Sequence, residues 1–246
     1  MWFGVVSLLP EIVAAQAEHG VFGRAIKQGL TTIEYFNPRD FTSDKHRTVD
    51  DKPYGGGAGM VLMAEPLSAA VEAARHAAPD GSKVIYLAPS GSVFNQAQAR
   101  QQSAGTGLIL VCGRYEGVDQ RFISEYVDEI WSLGDFVLSG GEIPALAVMD
   151  AIIRHIPGVL GNIQSNLDES HLDGTIEYPQ YTRPEKALNI QVPEVLLGGN
   201  HKAVQSFNRQ AALAATYEAR PDLLRGRIFN EQDRALLADY FLKTKK

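Results

Sequence analysis

Three short, glycine-rich stretches offer residues that could do chemistry, and each follows an apolar run. Residues 113–117, GRYEG, place a cation, a phenol and a carboxylate in consecutive positions between two glycines. Residues 134–141, GDFVLSGG, supply three more glycines, and residues 88–91 read Ala-Pro-Ser-Gly. Glycine lets the backbone bend tightly or approach a ligand closely. Three such loops, with many backbone donors and acceptors, would suit a polar cofactor rich in heteroatoms.

Other sites are disfavoured by what the motifs lack. No GxGxxG fingerprint is followed by an acidic residue about twenty positions later, which weakens a dinucleotide-binding interpretation, and no GxSxG elbow is present. The glycine run at residues 55–59 lacks the GK[ST] ending of a phosphate-binding loop. Cys112 lies inside the apolar run LILVC, so a buried strand cysteine is favoured over a nucleophile. The six His are scattered, and no metal centre is predicted.

Two polar segments leave alternatives open. Arg114 and Glu116 can form a simple surface ion pair in a turn, although a turn that directly follows a buried strand favours a functional role. Residues 37–62 form a long segment with little apolar content, and such segments in compact domains are usually functional or disordered. We interpret its glycine run as a substrate-facing loop rather than an inert linker.

The elements that must position these loops alternate between strand and helix, which is typical of an α/β fold. Short apolar runs bounded by glycine predict strands buried on both faces of a mostly parallel sheet, and ligands bind beyond the carboxyl ends of such strands. Strands are predicted at residues 2–8, 31–36, 83–88, 108–112 and 127–133. Helices are predicted at residues 11–18, 23–28, 64–78, 95–102, 119–126, from 144 onward, and at 201–217, 221–225 and 231–242.

Composition is that of an ordinary globular protein. The chain has 246 residues, of which 45% are hydrophobic and 21% charged, and this length predicts one large or two modest domains. No apolar stretch approaches the ~20 residues that span a bilayer, and residues 1–13 lack a basic leader and a cleavage site. We therefore expect a cytoplasmic protein without a membrane partner.

Charge is distributed unevenly along the chain. The formal net charge is -6, but residues 181–246 carry 11 Lys and Arg against 7 Asp and Glu, whereas the remainder carries 12 against 22. A basic C-terminal module could supply phosphate contacts to a nucleic acid. On charge alone, solvated helix faces with a lysine tail are an equally good interpretation.

Five separated strings, in this order and spacing, resemble the bacterial tRNA (guanine-N1)-methyltransferases of the TrmD type, in the SPOUT superfamily. The strings are RTVDDKPYGGGAGM, VIYLAPSG, LILVCGRYEGVDQR, SLGDFVLSGGEIPA and YTRPE. The resemblance covers nearly the whole chain. It implies an α/β fold of SPOUT type, with a parallel sheet and a deep trefoil knot at residues 1–160. An interdomain linker at 161–178 and a small helical tRNA-binding domain at 179–246 would follow.

The resemblance also implies an activity and a cofactor. Members of the family use S-adenosylmethionine, bound in the knot, to methylate N1 of the guanosine immediately 3′ to the anticodon (position 37) of tRNA. They act as homodimers with a shared site, and a magnesium requirement with Glu116 near the ion is expected. The residues implied to bind the cofactor are Tyr86, Leu87, Pro89, Gly91, Gly113, Glu116, Gly117, Leu133, Gly134, Leu138, Gly140, Gly141 and Pro144.

Catalysis would require a group that accepts the proton of guanine N1. The family keeps a general base in the linker, commonly an aspartate in an EDSF string, and here the string is DESH at residues 168–171. The resemblance therefore implies Glu169 as the base, with Asp168 beside it as the alternative, and Arg154 as a catalytic cation. Arg154 also stands four residues after Asp150, a spacing that by itself gives a stabilising helix pair.

The resemblance and the loop interpretation together name residues for the tRNA. They are Arg47, Asp50, Gly55, Gly56, Gly57, His201, Lys202 and Arg209. The stretch SFNRQ, at residues 206–210, stands where the family is usually more basic, which predicts a weaker affinity for RNA. Two other functions remain: a ribose 2′-O-methyltransferase of the same knotted class, and a cofactor- and RNA-binding homologue whose catalysis is impaired by Glu169.

Overall fold

The computed structural model describes residues 1–161, 170–171 and 173–244. They belong to two compact units that divide between residues 166 and 167. In chain order, the strands are β1 (Trp2–Val6), β2 (Thr32–Phe36), β3 (Asp50–Asp51), β4 (Val61–Leu62), β5 (Lys83–Val93), β6 (Gly107–Cys112), β7 (Glu129–Ser132), β8 (Lys186–Ala187) and β9 (Ile190–Gln191). The α-helices are α1 (Pro10–Ala17), α2 (Gly20–Lys27), α3 (Ala64–Ala77), α4 (Gln96–Gln102), α5 (Gln120–Tyr126), α6 (Glu142–Ile153), α7 (Glu194–Leu197), α8 (His201–Ala219) and α9 (Glu231–Thr244).

A five-stranded parallel sheet forms the centre of the first unit, in the order β2-β1-β6-β5-β7. Every residue of β1 and β6 is buried, because helices cover both faces of the sheet. Side chains of α1, α2, α4 and α6 share one apolar cluster with the sheet, and those of α3 and α5 share the other. The predicted α/β class with a mostly parallel sheet is therefore confirmed.

Strand β5 differs from its prediction. The sequence predicted a strand that ends at residue 88, but the strand continues to Val93. Leu87 and Ser92 both pair with Trp131 of β7, so residues 88–91 form an irregularity in the ladder, and the missing N–H of Pro89 costs no regular ladder bond there. A Cβ on Gly91 would lie 2.5 Å from the carbonyl carbon of Ile130, which explains the glycine at that position.

Two further elements correct the predictions. Helix α6 begins at Glu142, two residues before the predicted start at Pro144. Proline is tolerated in a first turn because the N–H that it lacks would have no partner within the helix there. Residues 37–62 are not a structureless loop. They contain a 3-10 helix, Pro38–Phe41, and the antiparallel pair of β3 with β4.

The second unit is mainly helical, and α8 packs on α9 through an edge-on contact of Tyr217 with Phe241 at 4.9 Å between ring centroids. Arg209 of α8 donates hydrogen bonds to both carboxylate oxygens of Asp233 in α9, at 2.8 and 2.7 Å. Its third donor reaches Asp173 at 2.6 Å. These ion pairs occupy the Arg209 guanidinium, so the structure assigns it a role in joining α8, α9 and the chain around Asp173.

We expect Arg209→Gln to destabilise the second unit, because Asp233 is 3% exposed and would lose its cation. Burial raises the pKa of Asp173, but hydrogen bonds from Thr175 and Arg209 outweigh it and lower the pKa from 3.8 to about 2. The stability that Asp173 contributes is therefore fully present above pH 3.8 and is lost as the pH falls through about 2. Thermal unfolding of the unsubstituted protein and of Arg209→Gln, measured between pH 7 and pH 2, gives the difference in their stability. This difference should become smaller in acid, and a difference that does not change with pH would contradict the prediction.

None of the helices in the described part of the chain combines the length and the apolar character that crossing a bilayer requires.

Candidate functional site

A cavity of about 460 Å³ lies beyond the carboxyl ends of β6 and β7 and beside residues 86–90 of β5. This volume is within the usual range for small-molecule sites, about 300–1,000 Å³. The three predicted loops meet there: twelve of the thirteen residues named from the sequence for cofactor binding line the cavity. They are Tyr86, Leu87, Pro89, Gly113, Glu116, Gly117, Leu133, Gly134, Leu138, Gly140, Gly141 and Pro144. Gly91 is not among the lining residues.

In chain order, the first loop is residues 88–91, the second is 113–117 and the third is 134–141. The second and third loops are joined directly through their backbones. Gly141 donates a hydrogen bond to the carbonyl of Gly113 at 2.9 Å, and Arg114 forms an antiparallel bridge with Gly140. A Cβ on Gly141 would lie 2.6 Å from the Cα of Cys112 and 3.0 Å from the nitrogen of Gly113. These contacts are with backbone that cannot rotate away. The loops can therefore approach this closely only because residue 141 is glycine.

Tyr86 lies across the first and second loops. A Cβ on Gly113 would come within 2.9 Å of the Tyr86 hydroxyl, and the side chain of Tyr86 is almost fully buried. Burial raises the pKa of Tyr86, against a smaller opposing effect of the Val118 backbone, so the phenol stays neutral at physiological pH. A neutral phenol presents an aromatic face to the cavity without adding a charge to it.

A buried carboxylate lies behind the cavity, at the start of α6. Glu142 is 1% exposed, and its Oε1 accepts hydrogen bonds from the Ser7 hydroxyl at 2.6 Å and from Nε of Arg114 at 3.2 Å. Its Oε2 lies 3.0 Å from Nη2 of Arg114 as an ion pair but accepts no hydrogen bond within the described residues. A Cβ on Gly140 would lie 2.7 Å from Nε of Arg114, so the guanidinium lies against this glycine.

The Arg114–Glu142 pair replaces the surface pair of Arg114 with Glu116 that the sequence left open, so that alternative is wrong. Sequence reasoning did not select Glu142. One signal could have identified Glu142. It is an acidic residue directly after a Gly-Gly pair, in the first turn of a helix, where the helix dipole favours negative charge.

Cys112 occupies the last position of β6 and is 1% exposed, as predicted for a buried strand cysteine. Burial, and to a smaller extent the nearby charge of Glu142, raise the pKa of its thiol well above the ordinary value, whereas Arg114 opposes this shift. The group therefore remains a neutral thiol.

The glycine-rich loop of residues 55–59 is exposed, and its far end is bonded to the second cavity loop. Glu116 donates its N–H to the carbonyl of Met60 at 2.9 Å, and Leu62 donates to Gly117 at 3.0 Å. A Cβ on Gly59 would overlap the Glu116 side chain. This segment is thus connected to the cavity wall through Glu116.

The residues predicted for the tRNA are not among those that line the cavity. Asp50 pairs with Leu62 in the short hairpin, and Gly55, Gly56 and Gly57 all have positive φ and are exposed. Arg47 forms an ion pair with Asp40. In the second unit, His201 and Lys202 are exposed in the first turn of α8.

The catalytic candidates are described only in part. Arg154 is the C-cap of α6, is half-buried, and is not among the cavity-lining residues. Glu169 and Asp168 lie outside the described residues. Within residues 1–161, 170–171 and 173–244, no three His, Cys, Asp or Glu side chains are grouped so that they could hold a metal ion. The magnesium requirement near Glu116 stays a prediction.

The fold and the site together define a class of protein: an α/β domain with a glycine-rich cavity beyond the carboxyl ends of its parallel strands, which is where folds of this class bind their ligands. Comparison with known proteins identifies the family. The family model for tRNA (Guanine-1)-methyltransferase TrmD matches residues 1–226. The chain therefore belongs to the TrmD family of tRNA (guanine-1)-methyltransferases.

Relatives of similar length match along nearly the whole chain. A tRNA (guanine-N(1)-)-methyltransferase of Aeromonas hydrophila is 51% identical over 240 residues, which are 98% of this chain and 96% of the relative. An enzyme of the same name from Photorhabdus laumondii is 50% identical over 240 residues, with the same coverage. One from Vibrio vulnificus is 48% identical over 244 residues, 99% of this chain and 98% of the relative.

Proposed function

We propose that this methyltransferase transfers a methyl group from S-adenosylmethionine to N1 of the guanosine immediately 3′ to the anticodon (position 37) of tRNA. The observation that carries the proposal is the cavity in which three predicted glycine-rich loops meet. The names of the relatives supply the reaction and the tRNA substrate. The cytoplasmic location and the exact set of tRNAs belong to the same proposal.

The cavity residues fit the proposed cofactor. Gly113, Gly140 and Gly141 line the cavity, and a Cβ on any of them would clash with neighbouring protein atoms, so the walls can pack this closely only around glycine. Backbone N–H and C=O groups can read the edge of an adenine, and the aromatic ring of Tyr86 with Leu87 and Leu138 offers apolar contact. When bound, S-adenosylmethionine supplies a methyl group on a sulfonium, and the neutral thioether that remains after the transfer is a good leaving group.

The protein's own part in the reaction is to position guanine N1 and to accept its proton. We propose the carboxylate of Glu169 as the acceptor and Arg154 as the cation that stabilises negative charge developing on the base. Glutamate and aspartate have comparable unperturbed pKa values, about 4.3 and 3.9, so the exchange of one for the other leaves the acidity suitable. The extra methylene changes only where the oxygen lies.

We further propose the trefoil knot and the homodimer of the family. The close contacts between Gly113 and Gly141 support tight passage of the chain at the end of β6. Helices α1 and α6 contact one another, and each carries an exposed isoleucine that a second copy could cover. These residues are Ile12, with 37% of its surface exposed, and Ile143, with 52%.

The second unit is proposed to bind the tRNA backbone through His201 and Lys202. Both are exposed at the start of a long helix, where N–H groups and the dipole favour phosphate. Arg209 is omitted from this set because Asp173 and Asp233 engage it. The remaining basic contacts would make tRNA affinity fall with salt, with a slope set by the number of phosphates neutralised.

Incubation with labelled S-adenosylmethionine and two tRNA transcripts tests the proposed reaction. One transcript carries guanosine after the anticodon, and its matched control carries adenosine at the same position. We expect label only in the guanosine transcript, at N1 after digestion to nucleosides. Equal labelling of both, with the methyl on a ribose oxygen, would instead identify a 2′-O-methyltransferase, whereas cofactor binding without labelling would identify an impaired homologue.

A further inference from the structure

We infer that Glu142 is a positioning residue that neutralises Arg114 and so allows the cavity to accept a positively charged cofactor. Arg114 lines the cavity, and its side chain is 19% exposed, whereas Glu142 is 1% exposed and does not line it. Glu142 therefore makes no contact with a ligand in the cavity and acts on it through its charge, which offsets that of Arg114. This inference rests on the proposed function, because it concerns S-adenosylmethionine as the ligand.

The geometry of the pair holds the guanidinium in one orientation. Two of its nitrogens face the two carboxylate oxygens, Nε to Oε1 at 3.2 Å and Nη2 to Oε2 at 3.0 Å. The Ser7 hydroxyl, at the end of β1, donates to Oε1 at 2.6 Å and orients the carboxylate from the other side. The Ser7 hydroxyl also accepts a hydrogen bond from the N–H of Leu9 at 3.0 Å, which fixes the donor itself.

The charge of the proposed cofactor gives a reason for the Arg114–Glu142 pair beside the cavity. S-adenosylmethionine carries a sulfonium in addition to its ammonium and carboxylate, whereas the product S-adenosylhomocysteine carries a neutral thioether. An uncompensated guanidinium in the cavity wall would repel the sulfonium, since Coulomb interactions are strong where water is excluded. Glu116 is the other charged residue of the lining, but it is exposed and has no ion pair with Arg114 within the described residues. The buried carboxylate of Glu142 thus supplies the compensation.

The inference predicts a change in the preference between the two ligands. Glu142→Gln keeps the shape and an acceptor for Ser7 but removes the negative charge. We expect its affinity for S-adenosylmethionine to fall, and this fall should exceed the fall in affinity for S-adenosylhomocysteine by about tenfold. Removal of one unit charge up to ~10 Å from the sulfonium changes the binding free energy by about this amount. Isothermal titration of each ligand into the full-length protein measures both affinities without requiring turnover.

Two variants separate the charge effect from damage to the site. Arg114→Gln with Glu142→Gln makes the pair neutral again, and we expect it to restore the ligand preference of the unsubstituted protein even where both affinities are lower. Glu72→Gln is the matched control. Glu72 loses its ion pair with Arg75, 3.1 Å away on α3, and because neither residue lines the cavity, neither ligand affinity should change.

Each outcome decides the inference. An equal loss of affinity for both ligands in Glu142→Gln would show a purely structural role and overturn it. If Glu142→Gln does not fold, as judged by circular dichroism, Arg114→Gln carries the same test with the opposite sign. Loss of the cation must raise the preference for S-adenosylmethionine, and an unchanged preference would overturn the inference. Failure of the unsubstituted protein to bind either ligand would instead refute the proposed function, and the inference with it.

Discussion

Glu169→Gln is expected to lose most methyl transfer while it retains cofactor binding. General acid–base catalysis contributes about 10²- to 10⁴-fold, so turnover should fall by this order once the amide can no longer accept the N1 proton. Single-turnover transfer of labelled methyl to the guanosine transcript measures the chemical step, and titration with S-adenosylhomocysteine measures binding separately.

Two neighbouring substitutions serve as controls for Glu169. Asp168→Asn removes the adjacent carboxylate and should leave turnover largely unchanged. Glu169→Asp introduces the residue that is common in the family and should preserve activity, because the base remains and only its reach changes. A displacement of about an ångström can alter a rate about 10²-fold, so a loss of that size in Glu169→Asp would contradict this expectation and show that the length of the Glu169 side chain is required. Near-normal turnover of Glu169→Gln would transfer the role of base to Asp168 or to solvent.

Gly141→Ala is expected to destabilise the first unit and to abolish tight cofactor binding. The new Cβ would lie 2.6 Å from the Cα of Cys112, and the hydrogen bond of Gly141 to Gly113 holds the two strands of backbone at that separation. Overpacking of this kind typically costs about 1–3 kcal/mol, and here it would also separate two walls of the cavity. Denaturant unfolding gives the free energy of unfolding, and titration with S-adenosylhomocysteine gives the affinity.

Gly161→Ala is the matched control for this substitution. A Cβ on Gly161 would meet nothing within 4 Å among the described residues, and its φ is not positive. Its unfolding and ligand affinity should therefore equal those of the unsubstituted protein. If Gly141→Ala bound ligand as tightly as this control, the second and third loops would not need their close approach, and the cavity would not be the cofactor site.

Local pattern was sufficient for most of the secondary structure. The run LILVC has only apolar residues and ends at glycine, and β6 is buried along its whole length at the centre of the sheet. Helix α4 was predicted from residue 95, and Asn95 is its N-cap. The side chains of Asn95 and Gln98 each accept a hydrogen bond from the backbone N–H of the other residue, which forms a capping box. Such elements depend on neighbours within a few residues. The resemblance carried by five motifs then led to the family, which the comparisons confirm.

The sequence by itself determined the α/β class, the five strands of the central sheet with the helices between them, and the glycines that make three loops able to meet. Only the tertiary structure decided which charges are paired. Arg114 and Glu142 are 28 residues apart, and Ser7 is 135 residues from Glu142, so no local pattern could select these partners over Glu116. The same holds for Arg209, whose partners Asp173 and Asp233 lie 36 and 24 residues away. Ion pairing is set by spatial distance and burial, which exist only after the sheet and helices have packed.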